Sequence, residues 1–123
     1  MAESHPVLRE LDAVTVPVPD LDSGLDYYRD KLGHALLWRN DDAGQAGLAL
    51  PDAKTELVLT TRQRFEPNWL VDAIDDAVAA IIEAGGSLVV APAQIPVGRV
   101  AVVADPFGNP LVLVEIVKRY PRG

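Results

Sequence analysis

The chain has 123 residues, 49% of them apolar, with no cysteine and with 18 Asp and Glu against 11 Lys and Arg. That length suits a single domain, 1–123, with a substantial core, and the missing cysteines exclude disulfides, thiolate metal sites and cysteine nucleophiles. A net charge of −7 repels phosphate backbones, no run is apolar enough to span a membrane, and the first residues lack a signal-peptide layout, so a cytoplasmic protein with neither nucleic acid nor membrane as partner is expected.

Residues 10–18, ELDAVTVPV, are β-branched and alternating, which predicts a strand ended by Pro19-Asp20. Leu21, Leu25, Tyr28 and Leu32 then recur at helical spacing. Asp20 or Asp22 can cap that helix, and Gly33 can supply the left-handed residue that stops it. Three strands follow, at 35–39, 45–50 and 55–60, separated by the turn-forming runs Asn40-Asp41-Asp42-Ala43-Gly44 and Pro51-Asp52.

The second half repeats this order. Residues 66–71 read as a strand, Ile74, Val78, Ile81 and Ile82 as the buried stripe of a helix, Gly85-Gly86 as its stop, and 88–90, 99–104 and 111–116 as three more strands. Residues 119–123 read as a fraying tail. Two landmarks place the halves 53 residues apart, Val71 against Val18 and Gly86 against Gly33. The prediction is an α+β fold of two βαβββ modules, about 8–61 and about 65–117. A half of that size is marginal alone, so pairing of halves or of chains is expected.

The run VTVPVPDLDSGLDYYRDKLG and the later AVVADPFGNPLVLVE closely resemble the vicinal oxygen chelate superfamily, which contains glyoxalase I, extradiol dioxygenases, fosfomycin resistance enzymes and bleomycin resistance proteins. The resemblance covers nearly the whole chain and implies concave, mostly antiparallel sheets with the helices on the outside. Its pieces also have local meanings. Pro106 and Gly108-Asn109 suit a tight hairpin, and Tyr28 falls in the apolar stripe of the first helix, with Tyr27 beside it as a packing residue.

In the metal-using members the ligands project from the first and fourth strands of each module. By resemblance these positions fall on Ala13, Glu66, Val58 and Val112, of which Glu66 alone carries an oxygen donor. A transition metal needs about three protein ligands, so no metal and no cofactor are expected. One-residue slips offer only leucines. His5 lies in the N-terminal arm and His34 just past the first helix, and both read as exposed or locally bonded. Glu115 has the opposite parity to Val112 and reads as a surface charge.

Strand alternation from the same four positions puts Thr15, Glu56, Val58, Thr60, Glu66, Asn68, Val112 and Val114 on one groove-lining surface, apolar in the middle and polar at its margin. Trp38 reads as groove wall or core, Trp69 as core, and Arg99 as groove cation or edge charge, with the groove preferred. Glu56 is a groove carboxylate or a solvated strand start. Two carboxylates with tryptophans suit a flat cationic ligand. By resemblance to the metal-free, bleomycin-resistance-type members, the expectation is a homodimer that sequesters an antibiotic or similar natural product. The alternative is a glyoxalase- or dioxygenase-like lyase, isomerase or oxidoreductase, with Glu66 as the mapped general base.

Overall fold

The computed structural model describes residues 6–122, so His5 and Gly123 lie outside it. The order is β1 (Glu10–Pro17), α1 (Leu21–Leu25), a π-helical turn (Asp26–Lys31), β2 (Leu36–Asn40), β3 (Gln45–Leu50), β4 (Ala53–Thr60), β5 (Glu66–Leu70), α2 (Ile74–Glu83), β6 (Ser87–Ile95), β7 (Gly98–Ala104) and β8 (Pro110–Ile116). This is an α+β arrangement with the βαβββ order in both halves. The chain forms two compact units, one of Asp12–Pro67 with residues 120–122 and one of Asn68–Arg119 with residues 6–11.

In the first unit the sheet order is β2-β3-β4-β1. β3 is antiparallel to both β2 and β4, while β1 runs parallel to β4 with Thr15 beside Val58 and Ala13 beside Glu56. Val16, Leu21, Leu25, Ala46, Leu48 and Leu59 make the core under the helix. The other row of side chains on each strand therefore faces away from α1.

Asp20 starts α1 by accepting hydrogen bonds from Ser23 N at 2.7 Å and from Ser23 Oγ at 2.9 Å. These bonds, the backbone one foremost, hold its carboxyl below the ordinary 3.8. The helix then widens, with Leu32 N donating to Tyr27 O five residues back. Because the widened turn takes up one residue more than an α-turn, Leu32 is carried off the apolar stripe and is 50% exposed, contrary to its predicted burial. Tyr28 packs on the core, whereas Tyr27 is exposed and meets Tyr28 edge-on.

In the second unit the order is β5-β8-β7-β6, parallel between β5 and β8 and antiparallel elsewhere. Ile74, Ala77, Val78, Ala101, Val103 and Leu113 form its core, with Trp69 packed against it as expected. Among the described residues the Trp69 Nε1–H is buried without a hydrogen-bond acceptor. The α2 N-cap residue, Ala73, has no side-chain acceptor, and Glu115 Oε1 supplies one by accepting from Ile74 N at 2.8 Å. Glu115 thus has the predicted parity but works as a helix cap and not as a loose surface charge.

The glycine that turns left-handed after α2 is Gly85, at φ 105°, and its counterpart is Gly33, at φ 86°. The pairing of Gly33 with Gly86 was one residue off. Leu21, Gly24 and Leu25 of the first helix are buried, and so are Ile74, Ala77 and Val78 of the second. The 53-residue offset therefore holds as far as Leu25 and falls to 52 at the closing glycines, and the π-helical turn holds the extra residue. β6 also differs from expectation, running nine residues where three were predicted. Register shifts near Val90 keep it paired to β7 past Pro92, a position that an edge strand tolerates.

The Asp105–Asn109 hairpin is held by its first carboxylate. Asp105 Oδ1 accepts from Phe107 N and Asn109 N, and Oδ2 accepts from Asn109 Nδ2, each at 2.9 Å. Gly108 takes the one positive φ of the turn. This motif is architecture.

Candidate functional site

On the face of the first unit away from α1, alternation brings Ala13 and Thr15 of β1 next to Glu56, Val58 and Thr60 of β4, all buried. Trp38 joins them from β2 because a register shift between Leu36 and Trp38 turns the indole to the side opposite Leu36. It crosses Gly47 of β3, where a Cβ would overlap Trp38 Nε1 and sit 2.9 Å from Glu56 Oε1. Glycine at 47 thus lets the indole lie flat on the strand and donate to Glu56 Oε1 at 2.6 Å.

Glu56 is 6% exposed. A carboxylate taken that far from water needs close donors. Trp38 is one, and the Arg122 guanidinium is another, donating from Nη2 to Glu56 Oε2 at 2.8 Å. The expectation of a fraying C-terminal tail is therefore corrected. Tyr120 lies with its ring 4.5 Å from that of Trp38, tilted by 33°, and its Oη accepts from Asn40 Nδ2 at 2.9 Å. Asn40 is itself fixed by accepting from Ala43 N at 3.1 Å.

The other threonines are engaged by backbone. Thr15 Oγ1 points at the carbonyls of Arg64, at 2.6 Å, and Glu66, at 3.1 Å. Thr60 Oγ1 accepts from Arg62 N and Gln63 N. Both hydroxyls hold the segment that leads into β5. Glu66 is partly exposed at the start of β5.

Asn68 and Val112 belong to the second unit. They are register partners on β5 and β8, both buried, on the side of that sheet away from α2. Arg99 is on the opposite side, which corrects its assignment to the groove. It shares strand parity with Ala101 and Val103 of the helix-facing core, and its guanidinium donates to both oxygens of Asp75 in the first turn of α2, at 2.9 and 3.2 Å. That contact holds the Asp75 carboxyl below its ordinary value. His34 Nδ1 is 3.0 Å from Ala49 O, a local bond of the kind expected.

Among the described residues, those at the mapped strand positions do not fit a metal centre. Ala13, Val58 and Val112 offer no lone pair, and among the described residues no group of three or more His, Asp or Glu could hold an ion. What the first unit offers chemically is a buried carboxylate, one rigid donor beside it, a flat indole, an apolar floor and a cationic side chain from the tail.

Residues 10–113 match the family model described as Glyoxalase/Bleomycin resistance protein/Dioxygenase superfamily. No curated protein matches the chain significantly. Among solved structures, methylmalonyl-CoA epimerase from Mycobacterium tuberculosis superposes with a TM-score of 0.71 at 24% identity, covering 94% of this chain and 93% of that one. A variant of Streptomyces coelicolor methylmalonyl-CoA epimerase in complex with 2-nitronate-propionyl-CoA gives 0.69 at 21%, covering 89% and 99%. A hypothetical protein from Bacillus halodurans C-125 gives 0.68 at 16%, covering 92% and 98%. At these identities the likeness establishes the fold.

Proposed function

The chain belongs to the Glyoxalase/Bleomycin resistance protein/Dioxygenase superfamily, and from that premise we propose that it is an enzyme converting a small organic substrate against Trp38 and Glu56, with the Glu56 carboxylate as acid–base group and no metal in the step. The observation that carries this reading is the buried Glu56, oriented by one donor fixed in the sheet, Trp38, and one on a short tail, Arg122. Oε1 accepts from the indole N–H and Oε2 from Arg122, so movement of Arg122 changes the hydrogen bonding of Oε2.

The chemistry that such a carboxylate suits is proton transfer at carbon next to a carbonyl. The proton passes from the substrate C–H to Glu56 Oε2, and the C–H electron pair moves into the carbonyl to give an enolate. The carboxylic acid then returns the proton to the opposite face of that carbon, once the planar enolate has turned over against it. Atoms and charge balance, and the net reaction is an isomerisation. Catalysis replaces sequestration as the leading reading because two of the similar structures bear the name of an epimerase. Glu56 replaces Glu66 as the base because it has the oriented, buried position.

Retention of a flat cation, an antibiotic included, without turnover is the second reading. It is favoured by one observation, that an aromatic ring and a guanidinium already rest on Trp38 and Glu56.

The test is α-proton exchange in D2O with EDTA present, followed by NMR on one anionic and one cationic carbon acid, methylmalonyl-CoA and phenylalanine methyl ester. Catalysed exchange that falls about a hundredfold in Glu56→Gln is expected. No exchange above the uncatalysed rate with either compound would overturn the catalytic reading.

A further inference from the structure

Residues 120–122 occupy the seat just described, and this bears on what can enter it. Tyr120, Pro121 and Arg122 are consecutive. Tyr120 covers the Trp38 ring and bonds Asn40, while Arg122 reaches Glu56. Pro121 fixes one backbone dihedral between them, so the ring and the cation are presented at a limited set of separations, at most about 7 Å between their Cα atoms. The seat on the sheet is equally fixed. Gly47 sets the indole, Ala43 N sets the Asn40 amide, and Trp38 sets Glu56.

We propose that Tyr120–Arg122 is a built-in competitor for the Trp38–Glu56 site, and that the ligands able to displace it carry a flat ring and a cationic amidine, guanidine or amine within that reach. This rests on the reading that Trp38 and Glu56 form the ligand site. Three features of the tail support displacement over permanent attachment. The Arg122 side chain is 45% exposed against 8% for Glu56, so water can take over its remaining hydrogen bonds. Pro121 is exposed, so no packed core needs to open. The displacement starts beyond Lys118, since Val117 N and Lys118 N donate to Val97 O at 2.7 and 3.1 Å and stay in place while the segment after them moves.

A tethered segment acts as a ligand at high effective concentration, in the millimolar range for short flexible links. A free competitor must overcome that occupancy, so its apparent affinity falls in proportion to the fraction of closed molecules. Removing the ring and the cation while keeping the chain length abolishes the competition and leaves the seat intact.

The probes are the tripeptide amide Tyr-Pro-Arg, which copies the tail, and benzamidine, an aryl amidinium. Each is titrated against the full chain and against the full-length double variant Tyr120→Ala with Arg122→Ala, with tryptophan emission as the readout. The tripeptide is expected to bind the double variant about tenfold more tightly than the parent, and adding Glu56→Gln to the double variant is expected to abolish that binding. Equal affinity for parent and variant, or no saturable response from the variant, overturns the proposal. A milder pair, Tyr120→Leu with Arg122→Gln, repeats the comparison if the first variant melts well below the parent. The two readings fail separately. Equal benzamidine affinity in both proteins, lost with Glu56→Gln, keeps the site and removes the competing tail; tail-sensitive binding with no carbon-acid exchange keeps the tail and removes the enzyme.

Discussion

A methyl group at position 47 would overlap Trp38 Nε1 and crowd Glu56 Oε1, so the indole keeps its place because this residue has no side chain. Gly47→Ala should drive Trp38 off the strand, shift its emission to longer wavelength and cost about 1–3 kcal/mol, the usual penalty for overpacking; unchanged emission and melting would show that the indole is not held there. The partners of Glu56 were only partly legible in advance. Parity alone brings Thr15, Glu56, Val58 and Thr60 to one face, because β1 and β4 pair without a break in that stretch. Trp38 could not be assigned by alternation, since the register shift before it resets the count. Arg122 is 66 residues from Glu56, and nothing local in Tyr120-Pro121-Arg122 distinguishes a seated segment from a loose one.

At the scale of the elements, both helices depend on carboxylates that stand outside their hydrogen-bonded turns. Asp20 caps the first from the adjacent position, and Glu115 caps the second from β8. Because the Asp20 carboxyl is lowered in the folded protein from 3.8, its contribution is complete above that pH and is lost as pH falls through the folded value. Asp20→Ala should therefore melt a few degrees below the parent at pH 7, with the gap closing in acid well below 3.8, and Glu115→Ala should cost about 1 kcal/mol. A gap of constant size from pH 7 to pH 2 would contradict the cap. Propensity and periodicity located both helices, but the apolar spacing up to Leu32 fitted an uninterrupted α-helix, and only hydrogen bonding five residues back reveals the wider turn. Likewise the short apolar run at 88–90 marked β6, while its extension through Pro92 depends on pairing to β7.

For the whole molecule, the repeat is the most legible feature, since strand and helix landmarks recur 53 residues apart and the closing glycines 52 apart, and each half buries its own core. The family match over residues 10–113 agrees with that reading. Each compact unit has only about sixty residues, a size at which stability is marginal, and β6 ends its sheet with Leu88, Val89 and Val90 about half exposed, an edge that isolated chains leave open to association. Light scattering on a size-exclusion column should accordingly read twice the 13.2 kDa of one chain, whereas a monomer at every concentration up to the millimolar range would refute the homodimer expected from the sequence.

The widened turn between Asp26 and Lys31 bears on ancestry. If both halves descend from one ancestral fragment, they began with equal length, and a single codon was gained or lost after fusion. A π turn takes up such a change inside one helix while the flanking buried residues and the terminating glycine keep their roles. The packing change stays local, with Leu32 turned out to 50% exposure, so two sister halves can differ in length without either having to refold.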